Sequence, residues 1–435
     1  MTKQKWETRP LDCWNKAKEL RAGWQASIES KEKVVGQGAG GFAFAFPAQT
    51  IIEDNPAGSM IANKSDSFAR ECRLACEVRG WGREICGYHG NCWGSQFLGY
   101  QVDGSPFPRR QFVAFIPDVC DGHTKRGEQL RDYEPVPRWQ SDSTMYLGEH
   151  DPAREVAMIN HKVYCTLKEV NDLERIFDQQ MNDDELKRQS DGRDDFLQYQ
   201  VDVSYYMTFK PSPLSVKDLY SFYTLGNLTP LPPDERNAFW KMFRDEVQWR
   251  AENQIAAVGN EQFRFMEAHP PPWHYLKYYR YMEQKYGAIC IGSQYSNGLF
   301  HAMEKTPDGT IRRREYAALP EDIPMVTRED IFRRQSGYDT RSPHHYKVDE
   351  YLQQSAILEF AEVYQADGAL FALWRSGVGC NVTRKEQAKR LREAGYSVML
   401  YEGSQPGDRN DMDEMRFMDQ LDNWMDSLGI RPIEE

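Results

Sequence analysis

The sequence predicts an α/β fold with a parallel sheet, and three observations in its last third carry that prediction. The short runs Gly287–Gly292, Ala369–Trp374 and Tyr396–Tyr401 are apolar and of strand length. Helical patterns separate them. Tyr351–Tyr364 carries Leu352, Ile357, Phe360 and Val363 on one face, and Thr383–Glu393 runs up to Gly395, a natural helix stop. Strands joined through helices need right-handed crossovers, which places them in parallel. A last helix is expected over Met412–Leu428.

The earlier elements follow from the same periodicities. Trp14, Ala17, Leu20 and Trp24 recur at spacings of three and four, so the first thirty residues read as an amphipathic helix. Lys33–Phe46 is glycine-rich and then alternates Phe42, Phe44 and Phe46, a strand-like or loop pattern; after Pro47 a short helical stretch is expected through Ile51 and Ile52. Ser67–Arg79 reads as a helix, with Cys86 in a glycine-rich break after it, and Gln111–Ile116 as a strand. The middle of the chain reads as helical and charged, with Val170, Leu173, Ile176 and Phe177 forming one stripe. Ser215 and Asp218 resemble a capping box before Leu219, Phe222 and Tyr223, and Gly226 ends that helix. Another helix from near Asp234 buries Phe239, Trp240, Phe243 and Val247. There is no internal repeat and no low-complexity tract.

Composition narrows the function. The chain has 435 residues, 40% apolar and 28% charged, values ordinary for a globular protein. Lys and Arg number 54 against 66 Asp and Glu, a net charge of -12, which argues against a broad nucleic-acid surface. An aromatic content of 13% excludes global disorder. Met1–Pro10 has no secretory pattern and no run approaches the roughly 18 apolar residues of a membrane helix, so a cytoplasmic protein without membrane contact is expected. Nine cysteines, an odd number, fit reduced thiols or metal ligands better than a disulfide framework.

Few motifs carry chemistry. Gly36-x-Gly38-x-x-Gly41 has the glycine spacing of a dinucleotide turn, but the alternating Phe-Ala-Phe-Ala-Phe-Pro after it does not open a helix, so a plain turn is expected. No Gly-x-x-x-x-Gly-Lys-Ser/Thr and no C-x-x-C occurs. Position is more informative than spacing for the cysteines. Cys120 follows the Gln111–Ile116 strand and Cys380 follows Ala369–Trp374, beyond the strand ends where open α/β sheets place ligands. Together with Cys86 they can converge on one soft-metal site, or serve as small buried hydrophobes. Cys72 and Cys76 share a helix face and read as core, as do Cys13, Cys165 and Cys290; Cys92 is a substitute ligand at best. His89 and His123 each follow a candidate cysteine by three residues and are candidate proton donors, or solvated helix-start residues. Gln294 and Tyr295 form a candidate substrate-pocket wall, or a simple strand-to-helix connection. His344-His345 reads as surface loop, and Asp408–Glu414 as a solvated helix start.

The segments Glu84-Ile85-Cys86, Val119-Cys120-Asp121-Gly122, Gly379-Cys380 and Tyr401-Glu402-Gly403, in that order, resemble the iron–sulfur subunits of the 2-hydroxyacyl-CoA dehydratase and benzoyl-CoA reductase family. Gly80–Tyr88, Leu214–Gly226 and Trp273–Met282 are similar to the B-type subunits of its ATP-dependent benzoyl-CoA reductases. The resemblance implies two Rossmann-like parallel-sheet lobes with an inserted helical region, and a 4Fe–4S cluster between them held by Cys86, Cys120 and Cys380. On that template the chain divides into an N-terminal helix (1–32), a first α/β lobe (33–165), a largely helical region (166–275) and a second α/β lobe (276–435). The activity implied is low-potential single-electron reduction of an aromatic acyl-CoA, dearomatising the ring. The implied partners are a paralogous iron–sulfur subunit, ATP-hydrolysing activator subunits and a ferredoxin-type donor to the activator. A dehydratase subunit or a non-catalytic scaffold subunit is the alternative. Two departures stand out: Pro47-Ala48-Gln49 replaces a Pro-Glu-Glu turn, and Asn381 replaces a basic residue after the third cysteine.

Overall fold

The computed structural model describes residues 6–30, 33–36, 42–46, 51–54, 65–82, 85–107, 112–115, 133, 135–140, 152–227, 231–267, 275–293, 296, 303–306, 308–313, 324–341, 350–374, 384–403, 407 and 414–433. Within them, two four-stranded sheets are parallel throughout, which bears out the α/β reading.

The first sheet has the order β2-β1-β3-β4, from β1 (Lys33–Gly36), β2 (Ile51–Asp54), β3 (Phe112–Phe115) and β4 (Arg138–Gln140). Ile51 and Ile52, expected to be helical, are extended and pair with Lys33 and Val34. Branching at Cβ favours the pleated conformation once a neighbouring strand is present. Phe42–Ala45 is a 3-10 turn, and the Asn182 N–H donates to the Ala45 carbonyl at 2.8 Å. Gly36 closes β1, and Gly38 and Gly41 lie outside the described residues.

The helices are α1 (Trp14–Ser30), α2 (Asp66–Glu77), α3 (Gly87–Leu98), α4 (Pro152–Phe177), α5 (Asp183–Tyr206), α6 (Val216–Asn227), α7 (Pro233–Glu252), α8 (Leu276–Tyr286), α9 (Arg328–Arg341), α10 (Glu350–Val363), α11 (Arg384–Glu393) and α12 (Glu414–Ser427). Their sequence signals operate as expected. Ala17, Leu20 and Trp24 are buried along α1. Ser215 Oγ contacts Asp218 Oδ2 at 3.1 Å before α6, whose helical dihedrals break at Leu225 and Gly226. Phe239, Trp240, Phe243 and Val247 form the buried face of α7. Among the described residues no helix is long and apolar enough to cross a membrane.

The second sheet runs β10-β9-β5-β6, from β5 (Phe263–Glu267), β6 (Ala288–Ser293), β9 (Gly368–Trp374) and β10 (Ser397–Gly403). A separate hairpin pairs β7 (Met303–Lys305) with β8 (Ile311–Arg313). Phe265 belongs to the core shared with α6, α7 and α8, and Met266 to the core under α10 and α11. Alternate residues of one strand therefore supply two cores, the signature of a sheet covered on both faces.

The strand β5 lies within the stretch read as largely helical, and its composition explains why. Arg264 and Glu267 break the apolar run, yet both are buried. The Arg264 guanidinium donates to Glu261 at 2.5 Å and to the carbonyls of Phe209 at 3.0 Å, Met207 at 3.2 Å and Tyr364 at 3.0 Å. A buried guanidinium is tolerable when its donors are met in this way.

Candidate functional site

The first candidate site is built on α2 and α3. Three glycines in Gly87–Leu98 weaken its intrinsic helix propensity, and the sequence accordingly reads as a break. The helix forms because those glycines allow close packing. A Cβ on Gly94 would overlap the Cys72 backbone, and one on Gly90 would meet the Arg73 guanidinium. Cys76 Sγ donates to the Gly90 carbonyl at 3.0 Å across the same contact.

Cys86 is the N-cap residue of α3, and its carbonyl accepts from the Gly90 N–H at 2.9 Å. Its side chain is half-buried. The amide dipoles of a helix N-terminus favour negative charge there, which suits a thiolate donor to iron. The remaining described cysteines are buried. Burial pushes the Cys72, Cys13 and Cys290 thiols well up and Cys76 to about 12, so these four are held as neutral thiols and do not suit ligation. Cys92 and Cys165 are packing residues, at 0% and 7% exposure. His89 lies one turn into α3 from Cys86 and is buried, not solvated.

Cys120, Cys380, His123, Gln294 and Tyr295 lie outside the described residues, as do His344 and His345. Among the described residues no group of three or more His, Cys, Asp or Glu side chains is arranged to hold a metal ion. The strands that lead to the two cysteines are in place: β3 ends at Phe115 and β9 at Trp374. One described residue links the two halves at this level. Gly407, beyond the end of β10, has a φ of +78° and lies so close to α2 that a Cβ would overlap the Ala69 carbonyl. Gly407 is thus seated on the helix that packs against the Cys86 helix.

A second cluster, absent from the sequence reading, occupies the carboxyl edge of the second sheet. Met266 pairs with Ala369, so Glu267 ends level with Leu370, whereas β9 and β10 pair on through Trp374 and Gly403. β9 continues for four residues beyond Leu370, to Trp374, about 13 Å at about 3.3 Å per residue. In β6, Ser293 pairs with Glu267.

Glu267 is fully buried. Tyr279 Oη donates to its Oε2 at 2.5 Å, Ser293 also hydrogen-bonds its carboxyl, and Ser293 Oγ lies 2.8 Å from Tyr220 Oη. Burial pushes the Glu267 carboxyl up to about 8, against the opposing pull of the Tyr279 and Ser293 hydrogen bonds and of Arg384. Tyr279, Tyr401 and Cys290, whose groups surround it, are each driven well up by burial and stay protonated. The only local signal for this cluster is an isolated acid ending the run Phe-Arg-Phe-Met-Glu, which resembles any surface segment until the strand is recognised as central.

Comparison with curated proteins gives no match. A family model described as 2-hydroxyglutaryl-CoA dehydratase, D-component, matches residues 71–423, which include most of α2, all of α3 and the whole of the second sheet. With that match over most of its length, the chain belongs to the 2-hydroxyglutaryl-CoA dehydratase D-component family.

Proposed function

We infer that the chain is an iron–sulfur subunit of a 2-hydroxyacyl-CoA dehydratase-type complex, and more narrowly of an ATP-dependent aromatic acyl-CoA reductase acting on benzoyl-CoA. The observation that carries this reading is Cys86, a half-buried thiol at the N-cap of α3 within the family-matched region. Cys86, Cys120 and Cys380 would hold a 4Fe–4S cluster. Such a cluster, when bound by three thiolates, supplies low-potential one-electron chemistry with one iron open. The chain's own contribution is positional and protective. The α2–α3 contact would fix Cys86, and further along α3 the buried Trp93 packs against Trp81 at 4.7 Å between ring centroids. His89, buried on the first turn of α3, would hold a proton, with His123 after Cys120 the second candidate donor; Gln294 and Tyr295 would line the substrate pocket beyond β6.

The substrate chemistry fits this division. A thioester conjugated to an aromatic ring accepts an electron to give a ketyl-type radical anion, which needs a donor of very low potential. ATP hydrolysis would drive that transfer from a separate activator fed by a ferredoxin-type donor, with a paralogous iron–sulfur subunit completing the complex. A dehydratase subunit, in which the electron is recycled and no net reduction occurs, is the second reading, favoured by the description of the matching family.

The test is anaerobic purification of the intact complex with iron and sulfide analysis. Cys86→Ser, Cys120→Ser and Cys380→Ser are each expected to lose the cluster signal, and Cys72→Ala to retain it. An iron-free, colourless wild-type complex refutes the reading. Dearomatised product from benzoyl-CoA with ATP and a reductant supports the reductase, whereas dehydration of a 2-hydroxyacyl-CoA without net electron consumption selects the dehydratase.

A further inference from the structure

Two glycines far apart in the chain, Gly90 and Gly407, lie bare against the same side chain. We propose that Arg73 of α2 is the positioning residue of Cys86, a buried lever that ties the first turn of α3 to the residue seated beyond β10. The proposal rests on the reading above that Cys86 binds the cluster. Ala69, Cys72, Arg73 and Cys76 recur at spacings of three and four, so they share one face of α2, and all four are buried, Arg73 at 4% exposure. That face meets two separate parts of the chain. A Cβ on Gly407 would lie 2.7 Å from Arg73 Cγ, besides overlapping the Ala69 carbonyl. A Cβ on Gly90 would meet Nη1 of Arg73 and lie 3.3 Å from its Cδ. The stem of Arg73 therefore sits under Gly407 and its guanidinium under Gly90.

Gly90 is the residue through which α3 holds Cys86. Its N–H donates to the Cys86 carbonyl at 2.9 Å, closing the first turn of the helix. Its own carbonyl accepts from Cys76 Sγ at 3.0 Å. One face of α2 thus grips Gly90 twice, by the Cys76 thiol and by the Arg73 guanidinium. Of these two, only Arg73 also touches Gly407.

Such a lever transmits because it has little room to yield. Carbon atoms pack best at about 3.5–4.0 Å, so any approach of Gly407 toward α2 displaces the Arg73 stem. A buried side chain in a close-packed interior passes that displacement along its length instead of swinging into solvent. The displacement arrives at Gly90, and the hydrogen bond from its N–H to the Cys86 carbonyl moves with it. Lysine at this position would keep the stem and the charge but end one atom short of the fork that meets Gly90.

The experiment is a double-mutant cycle on the full chain, read by amide hydrogen exchange, which needs no cluster. Gly407→Ala is expected to quicken exchange in α2 near Ala69 and, through Arg73, to quicken exchange of the Gly90 amide by about tenfold, within the range of coupling between residues in contact. In an Arg73→Lys background the same Gly407→Ala change is expected to loosen α2 as before, since the overlap with the Ala69 carbonyl remains, and to leave the Gly90 amide nearly unmoved. An equal response of Gly90 in both backgrounds overturns the lever, as does no response of Gly90 to Gly407→Ala alone. In the anaerobic intact complex, Arg73→Lys is expected to keep the wild-type iron and sulfide content while shifting the g-values of the reduced cluster in its electron paramagnetic resonance spectrum. Unchanged g-values overturn the positioning of Cys86. A wild-type complex without a cluster instead overturns the iron–sulfur reading on which the proposal stands; the exchange cycle separates the two failures, since it reads the contact without a cluster.

Discussion

At the scale of single residues, the protein buries neutral acids whose proton supports the fold at low pH and whose ionisation weakens it as pH rises. An unfolded glutamate releases its proton near its ordinary 4.5, whereas folded Glu267 keeps its proton to about 8 because burial penalises the charge. Between those values the native state binds more protons than the unfolded chain, so the contribution of Glu267 to stability falls as pH rises and levels off above about 8. Glu283, also raised by burial and opposed by Lys217, adds a slope of the same sign up to about 7. Urea unfolding of wild type across pH 4.5 to 8 is expected to show this decline, and Glu267→Gln to flatten most of it. A wild-type slope that Glu267→Gln leaves intact contradicts the assignment. Cys86 was legible in the sequence because a cysteine beside glycines after a helix is locally conspicuous. Glu267 was not, because an acid signals burial only through neighbours far away in the chain.

At the scale of elements, the contact between α2 and α3 shows tertiary packing overriding propensity. Gly90 and Gly94 cost α3 stability as an isolated helix, by about 1 kcal/mol each relative to alanine. They are retained in the helix because close approach to Cys72 and Arg73 leaves no room for a side chain. Gly94→Ala is therefore expected to destabilise the protein by about 1–3 kcal/mol through overpacking, despite its better propensity. Gly23→Ala in α1, where a Cβ meets nothing within 4 Å, is the control and is expected to be neutral or slightly stabilising. Denaturant midpoints of the two variants decide the matter, and equal effects would refute the packing argument. The misread Ile51–Asp54 strand carries the same lesson: two adjacent isoleucines set no period by themselves, and β1 alongside decides that they extend.

At the scale of the whole molecule, the arrangement depends on contacts between distant parts of the chain. Gly407, following β10, rests against Ala69 of α2 and so ties the second sheet to the helices that hold Cys86. Gly407→Ala introduces a Cβ into that contact and strains a φ of +78°. Hydrogen exchange is expected to quicken in α2 near Ala69 while β9 and β10 keep their protection; unaltered exchange in α2 would show that the contact carries no coupling. By itself, the sequence determined the alternation of strands and helices in the last third, the helices from Ser215 to Glu252, and the placement of two cysteines after strands. Run length, periodicity and turn residues belong to contiguous segments, so they are readable without a fold. Only the tertiary structure decided that Phe263–Glu267 is a central strand, since Phe265 pairs with Gly368 and Met266 with Ala369, more than a hundred residues away. That pairing buries Arg264 among backbone carbonyls and Glu267 among hydroxyl groups, and only such partners make a charged or acidic side chain tolerable inside a sheet.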